Sequence, residues 1–112
     1  MENKIKILFD DFQKVEIKIG EILSAEKVGG SDKLVKLFVS FGDDKRQIVS
    51  GISKFFDDPK ILVGKKCAFV TNLEPKTIMG LESNGMILAV SGEDFFSLLE
   101  TSKSVQNGSA VK

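Results

Sequence analysis

Residues 15–23, VEIKIGEIL, set Val15, Ile17 and Ile19 against the charged Glu16 and Lys18. A period of two gives a β-strand with one buried face. Gly20 interrupts the run, and a glycine inside a strand marks a bulge or a sharp bend. The alternation resumes near Ile22. A long first strand bent at a glycine suits a closed barrel, where that strand must serve both sheets.

Two further strands follow closely. VGGSD (28–32) is a turn by composition, and KLVKLFVSF (33–41) places Val35, Leu37, Val39 and Phe41 on one face. Gly42, Asp43 and Asp44 suit a tight turn, after which RQIVSGI (46–52) reads as a third strand. The pattern then changes. SKFFDDPKILVGKK has no alternation; Ser53 suits the cap of a short helical turn, and Pro59 stops any longer helix. KKCAFVTNL (65–73) is a fourth strand, EPKTIMGLES a loop, and GMILAVS (85–91) a fifth strand. DFFSLLE (94–100) reads as short helical or irregular, and the tail holds at most a strand-like pair of valines. Three strands, a short helix and two strands describe an all-β, five-stranded OB-fold Greek-key barrel with terminal extensions. An SH3-like barrel or a small sandwich is the competing architecture.

The 112 residues suit a single domain over 1–112. Charge separates along the chain although the sum is zero: residues 33–76 carry nine basic and five acidic side chains, and the flanks are each net −2. That permits a modest central positive patch; solvated strands and loops would carry the same lysines. With no histidine, the usual general base and the commonest metal ligand are missing, and no cofactor or metal is expected. VSGIS lacks the nucleophile elbow, and GGSDK lacks the ending of a phosphate loop. The adjacent aspartate pairs at 10–11, 43–44 and 57–58 fall in turns or element ends. An enzyme is therefore not expected. The lone Cys67 reads as a buried thiol in a reducing cytoplasm. No signal-peptide pattern and no 18-residue apolar span appear, so no membrane is expected.

Binding chemistry is better supplied. Lys33, Lys36, Arg46, Lys65, Lys66 and Lys76 are candidate phosphate contacts. Ser50, Asn72, Ser83 and Asn84 are candidates for sugar or base edges. Met86 belongs either under an unstacked base or in the core. Lys76 and Ser83 are both expected to face solvent from the loop before the fifth strand.

Five short motifs, DKL, IVSGI, LVGK, NL.P and G.ES.GM.LA, stand in order within residues 31–90. Together with DFQKVEIKIGEILSAE (11–26) and NGSAV (107–111), they make the chain resemble the tRNA-binding domain family. That family includes stand-alone dimeric tRNA-binding proteins, the C-terminal appendage (beta chain) of bacterial methionyl-tRNA synthetases, and CsaA-like export chaperones. The resemblance implies an OB fold and structure-directed, non-catalytic tRNA binding. It also implies a homodimer joined through its termini, with the synthetase catalytic region as a possible partner. Its motif positions put Lys33, Ser50, Asn72, Lys76, Ser83 and Met86 on the RNA face. The chain departs from the family at Val28-Gly29-Gly30, where members often carry His-Pro, and at Thr77, where a second basic residue is common. The rival readings are a CsaA-like chaperone for unfolded polypeptide and an adaptor that docks only on proteins.

A barrel over residues 15–91 leaves apolar flanks unplaced. Ile7, Phe9, Phe12, Phe95, Phe96, Leu98 and Leu99 are the expected dimer interface; the alternative is that they cap their own barrel.

Overall fold

The computed structural model describes residues 4–112. A four-residue helix, α1 (Phe9–Phe12), precedes β1 (Ile17–Lys27), β2 (Val35–Ser40) and β3 (Lys45–Ser50). After two 3-10 turns, Ser53–Phe55 and Pro59–Leu62, come β4 (Lys66–Val70), β5 (Lys76–Ile78), β6 (Leu81–Ser83), β7 (Met86–Ile87), β8 (Ala89–Ser91) and β9 (Phe96–Leu98). Five strands form one curled antiparallel sheet in the order β3-β2-β1-β4-β7. The architecture is nearly all-β and OB-like, a curled five-stranded half-barrel sheet where the sequence leads one to expect a five-stranded OB-fold barrel.

The long first strand does serve two partners. Ile17–Glu21 pair with β4 and Glu21–Lys27 with β2. The bulge, however, is not at Gly20. Pairing with β4 runs unbroken through Gly20, and the register slips between Ile22 and Ser24. Leu23 is the extra residue, so Ile22 and Ala25 both point inward, three apart rather than two. Gly20 is demanded by packing instead: a Cβ there would lie 2.6 Å from Val39 Cγ1 and 2.7 Å from Phe41.

The apolar alternation of β2 buries Val35, Leu37 and Val39 completely, and Ile22, Ile48, Cys67 and Phe69 join them. Phe41 meets Phe69 edge to face at 5.4 Å. The expected short helix between strands 3 and 4 is the pair of 3-10 turns. Asp58, not Ser53, supplies the side-chain cap, accepting from Lys60 N. The second turn buries Leu62 and is tied to the bulge by Gly64 N–H donating to Ile22 O and Ile22 N–H to Lys65 O.

The seam between β3 and the β6–β7 segment is closed partly by a side chain. Ser83 Oγ accepts from Val49 N–H at 2.9 Å, and Asn84 N–H donates to Gln47 O at 2.9 Å. The expected solvent-facing position of Ser83 is thus corrected. Only 5% of it is exposed, because its hydroxyl stands where a strand rung would be.

Two stretches read as irregular are β-structure. EPKTIMGLES holds the β5–β6 hairpin, whose two-residue loop is Met79-Gly80 with φ +50° and +79°. Both values are those of a type I′ turn, which matches strand twist and favours asparagine or glycine at its first position. DFFSLLE holds β9, which pairs with β8. The tail then runs alongside β1: Ile19 N–H donates to Ser109 O, Gly108 N–H to Ile19 O and Val111 N–H to Ile17 O. The C-terminal flank is therefore part of the barrel wall. Leu98 is core, and Phe96 packs between Phe55 (stacked, 4.0 Å) and Phe56. Leu98 is thus buried within its own chain and Phe96 is half-buried, whereas Ile7, Phe9, Phe12, Phe95 and Leu99 are exposed.

Candidate nucleic-acid interface

Four of the sequence candidates converge. Ser50, Lys76, Ser83 and Met86 line one pocket of about 290 Å³, together with Leu73 and Ile78. The hairpin puts Lys76 and Ile78 on the same face, two residues apart. Met86 is 46% exposed at the start of β7, so it stands on the rim rather than in the core. The pocket thus offers apolar side chains, the Lys76 ammonium, the Glu74 carboxylate and the Ser50 hydroxyl, the Ser83 hydroxyl being engaged by Val49 N–H. A flat heterocycle fits the apolar side chains, and an anion fits Lys76.

Lys33 lies in a second hollow of about 410 Å³ with Asp32, Gly51 and Lys54. Ser50 lines the first hollow and its chain neighbour Gly51 the second. Lys54 was missed in the sequence, where it sits in a stretch without alternation. Its ammonium lies 5.1 Å from the centre of the Phe55 ring.

The other candidates do different work. Lys36 is paired with Glu26 at 2.7 Å, opposite it in the β1–β2 register. Arg46 is a staple: it bonds Thr71 O and the Asp44 carboxylate and lies over Phe41. The hydrogen bond from Arg46 holds the Asp44 carboxyl below its usual range. Asn72 is spent on the backbone, accepting from Glu16 N–H at 2.8 Å and donating to Lys14 O at 2.6 Å. That clamp fixes the segment carrying α1 to the end of β4. Lys65 pairs with Glu100, and Lys66 donates to Val105 O. Asn84 is half-buried in the seam. Lys36, Arg46, Asn72 and Ser83 therefore have intramolecular roles that residue type alone did not reveal, because each partner comes from another strand or turn.

Cys67 is completely buried, and burial pushes its thiol up to about 11. Among the described residues, no group of three or more acidic, cysteine or histidine side chains is placed to hold a metal. No helix of the described residues is long and apolar enough to cross a membrane.

The family model described as "Putative tRNA binding domain" matches residues 17–110. The chain belongs to the tRNA-binding domain family. A methionine–tRNA ligase of Caldanaerobacter subterraneus subsp. tengcongensis is 47% identical over 111 residues, which are 98% of this chain and 17% of the ligase. The tRNA-binding domain thus spans about a sixth of the length of such a relative. Among solved structures, a MetRS-related protein from Pyrococcus horikoshii superposes with a TM-score of 0.91 at 38% identity, covering 97% of this chain and all of that one. The chaperone CsaA of Bacillus anthracis gives 0.85 at 25% identity, covering 96% and 100%.

Proposed function

We propose that this tRNA-binding domain is a single non-catalytic module over residues 1–112. It holds tRNA by its shape and backbone rather than by its sequence, and it acts in the cytoplasm beside a methionyl-tRNA synthetase or as a free subunit. The observation that carries the reading is the pair of hollows lined by the consecutive Ser50 and Gly51, with Lys76 and Met86 in one and Lys33 and Lys54 in the other. Lysines neutralise phosphate without reading bases, and the site presents few amides to base edges once Asn72 is committed. The similarity to a methionine–tRNA ligase supports the synthetase as partner.

One observation favours a second reading. Phe55, Phe56, Phe95 and Phe96 line a cleft of about 380 Å³ with Glu93 and Asp94, and the fold is shared with a CsaA chaperone. An unfolded polypeptide would lay apolar side chains there. Competition separates the two. Bulk tRNA is expected to displace a labelled tRNA, and an unfolded, permanently reduced polypeptide to displace little. Displacement by the polypeptide alone would favour the chaperone.

The module is further proposed to be a homodimer joined through its N-terminal flank. Phe9 and Phe12 line a hollow of about 220 Å³ with Val15, Ile17 and Val111, and Ile7 and Leu8 stand exposed beside it. A two-fold contact would bury the same patch twice and double the RNA face. The Phe9→Asp/Phe12→Asp double variant is expected to sediment as a folded monomer where the wild type sediments as a dimer at micromolar concentration. A monomeric wild type would end the idea.

A further inference from the structure

Met79 is where the chain breaks a local rule without a visible return. It occupies the first central position of the type I′ turn between β5 and β6, with φ +50°, the only positive φ outside glycine among the described residues. Glycine or asparagine would hold that backbone with less strain. The side chain does not offset the strain by burial, because Met79 is 61% exposed. A strained position that folding does not explain points toward function.

The location supplies the function. Lys76 and Ile78, on the strand that leads into the turn, line the candidate RNA pocket beside Met86. The strand that leaves it is anchored to β3 by Gln47 Nε2 donating to Glu82 O at 3.0 Å and by the buried Ser83. The hairpin is thus a finger with a fixed base at the pocket and an apolar tip. Its thioether is flexible and polarisable and adapts to a flat surface.

We propose that Met79 is an apolar wedge that packs against an unstacked nucleobase of bound tRNA while Lys76 meets the neighbouring phosphate. The inference rests on the tRNA-binding reading and deepens it: the favoured target is a loop or a frayed end, where bases are available for stacking, and not continuous duplex. Met79 is then a specificity-determining contact.

The test uses the full chain, labelled bulk tRNA and a blunt RNA duplex of similar charge. Met79→Gly and Met79→Asn are expected to bind tRNA about tenfold more weakly, equivalent to about 1.4 kcal/mol, as for loss of a stacking contact. Their duplex affinity should stay within about twofold, and their melting temperature should be equal or higher, because each fits the turn better. Met79→Leu, which keeps an apolar tip, should retain tRNA affinity. Wild-type tRNA affinity in Met79→Gly would overturn the wedge while leaving the module reading intact. A lowered melting temperature in both polar and glycine variants would make Met79 a packing residue and overturn it too. A wild type that binds no tRNA would remove the underlying reading as well.

Discussion

A chain ending at Gly92 is expected not to fold. The sequence makes this truncation look like removal of a flank, but the structure makes it removal of a wall. Residues 93–112 contribute β9, buried Leu98, and backbone bonds from Ala68 N–H to Leu99 O and from Ile19 N–H to Ser109 O. Without them the core around Cys67 and Phe69 is opened and β1 loses its outer partner along Ile17–Ile19. A domain this small has a marginal reserve, on the order of 5–15 kcal/mol, against such a loss. The single-residue version of the test is Gly108→Ala. Gly108 has φ +88°, and a Cβ there would lie 2.5 Å from the Phe41 carbonyl oxygen. Backbone cannot yield as a side chain tip can, so clash and left-handed strain together are expected to cost about 3 kcal/mol. Gly29→Ala, where a Cβ meets nothing within 4 Å, is the control and should stay within about 0.5 kcal/mol. Urea unfolding followed by circular dichroism measures all three. A cooperative transition in the Gly92 truncation would show that the tail is an accessory.

Ser83→Ala is expected to lose stability, while its pocket neighbours lose binding. Removing the Ser83 hydroxyl leaves Val49 N–H buried without its acceptor at the barrel seam. An orphaned buried donor costs about 1–3 kcal/mol. Lys76→Ala and Met86→Ala alter exposed side chains, so stability should change by about 0.5 kcal/mol or less. Their tRNA affinity should fall. The pair of assays, melting and tRNA titration on each variant, reads the two effects separately. A stable Ser83→Ala variant that has lost tRNA would return Ser83 to direct contact and contradict the seam assignment.

The five strands of the main sheet were legible because their apolar stretches are local signals: Val35, Leu37 and Val39 announce a one-sided strand with no knowledge of its partner. The phase slip at Leu23 was not, since it depends on Ile22 being shared between β2 and the Gly64–Lys65 backbone that follows the second 3-10 turn. β5, β6 and β9 were missed because three-residue strands offer too few positions to show a period. At the candidate pocket, Lys76 and Met86 were readable as groups next to a turn. The intramolecular bonds of Arg46, Asn72 and Ser83 were not legible because, Asp44 apart, their partners, Thr71, Lys14 and Glu16, and Val49, lie 25 to 58 positions away. Residue type showed that these groups hydrogen-bond; only the fold shows to what.

The central claim is electrostatic, structure-directed holding of tRNA, and its most direct test is the affinity for bulk tRNA at several salt concentrations. Each neutralised phosphate contributes about −0.7 to −0.9 to the slope of log affinity against log salt. Lys33, Lys54 and Lys76 lead to an expected slope of roughly −2 to −3 in the wild type, shallower by about 1 in Lys76→Ala. A flat line for the wild type, or an identical slope in the variant, would contradict the account.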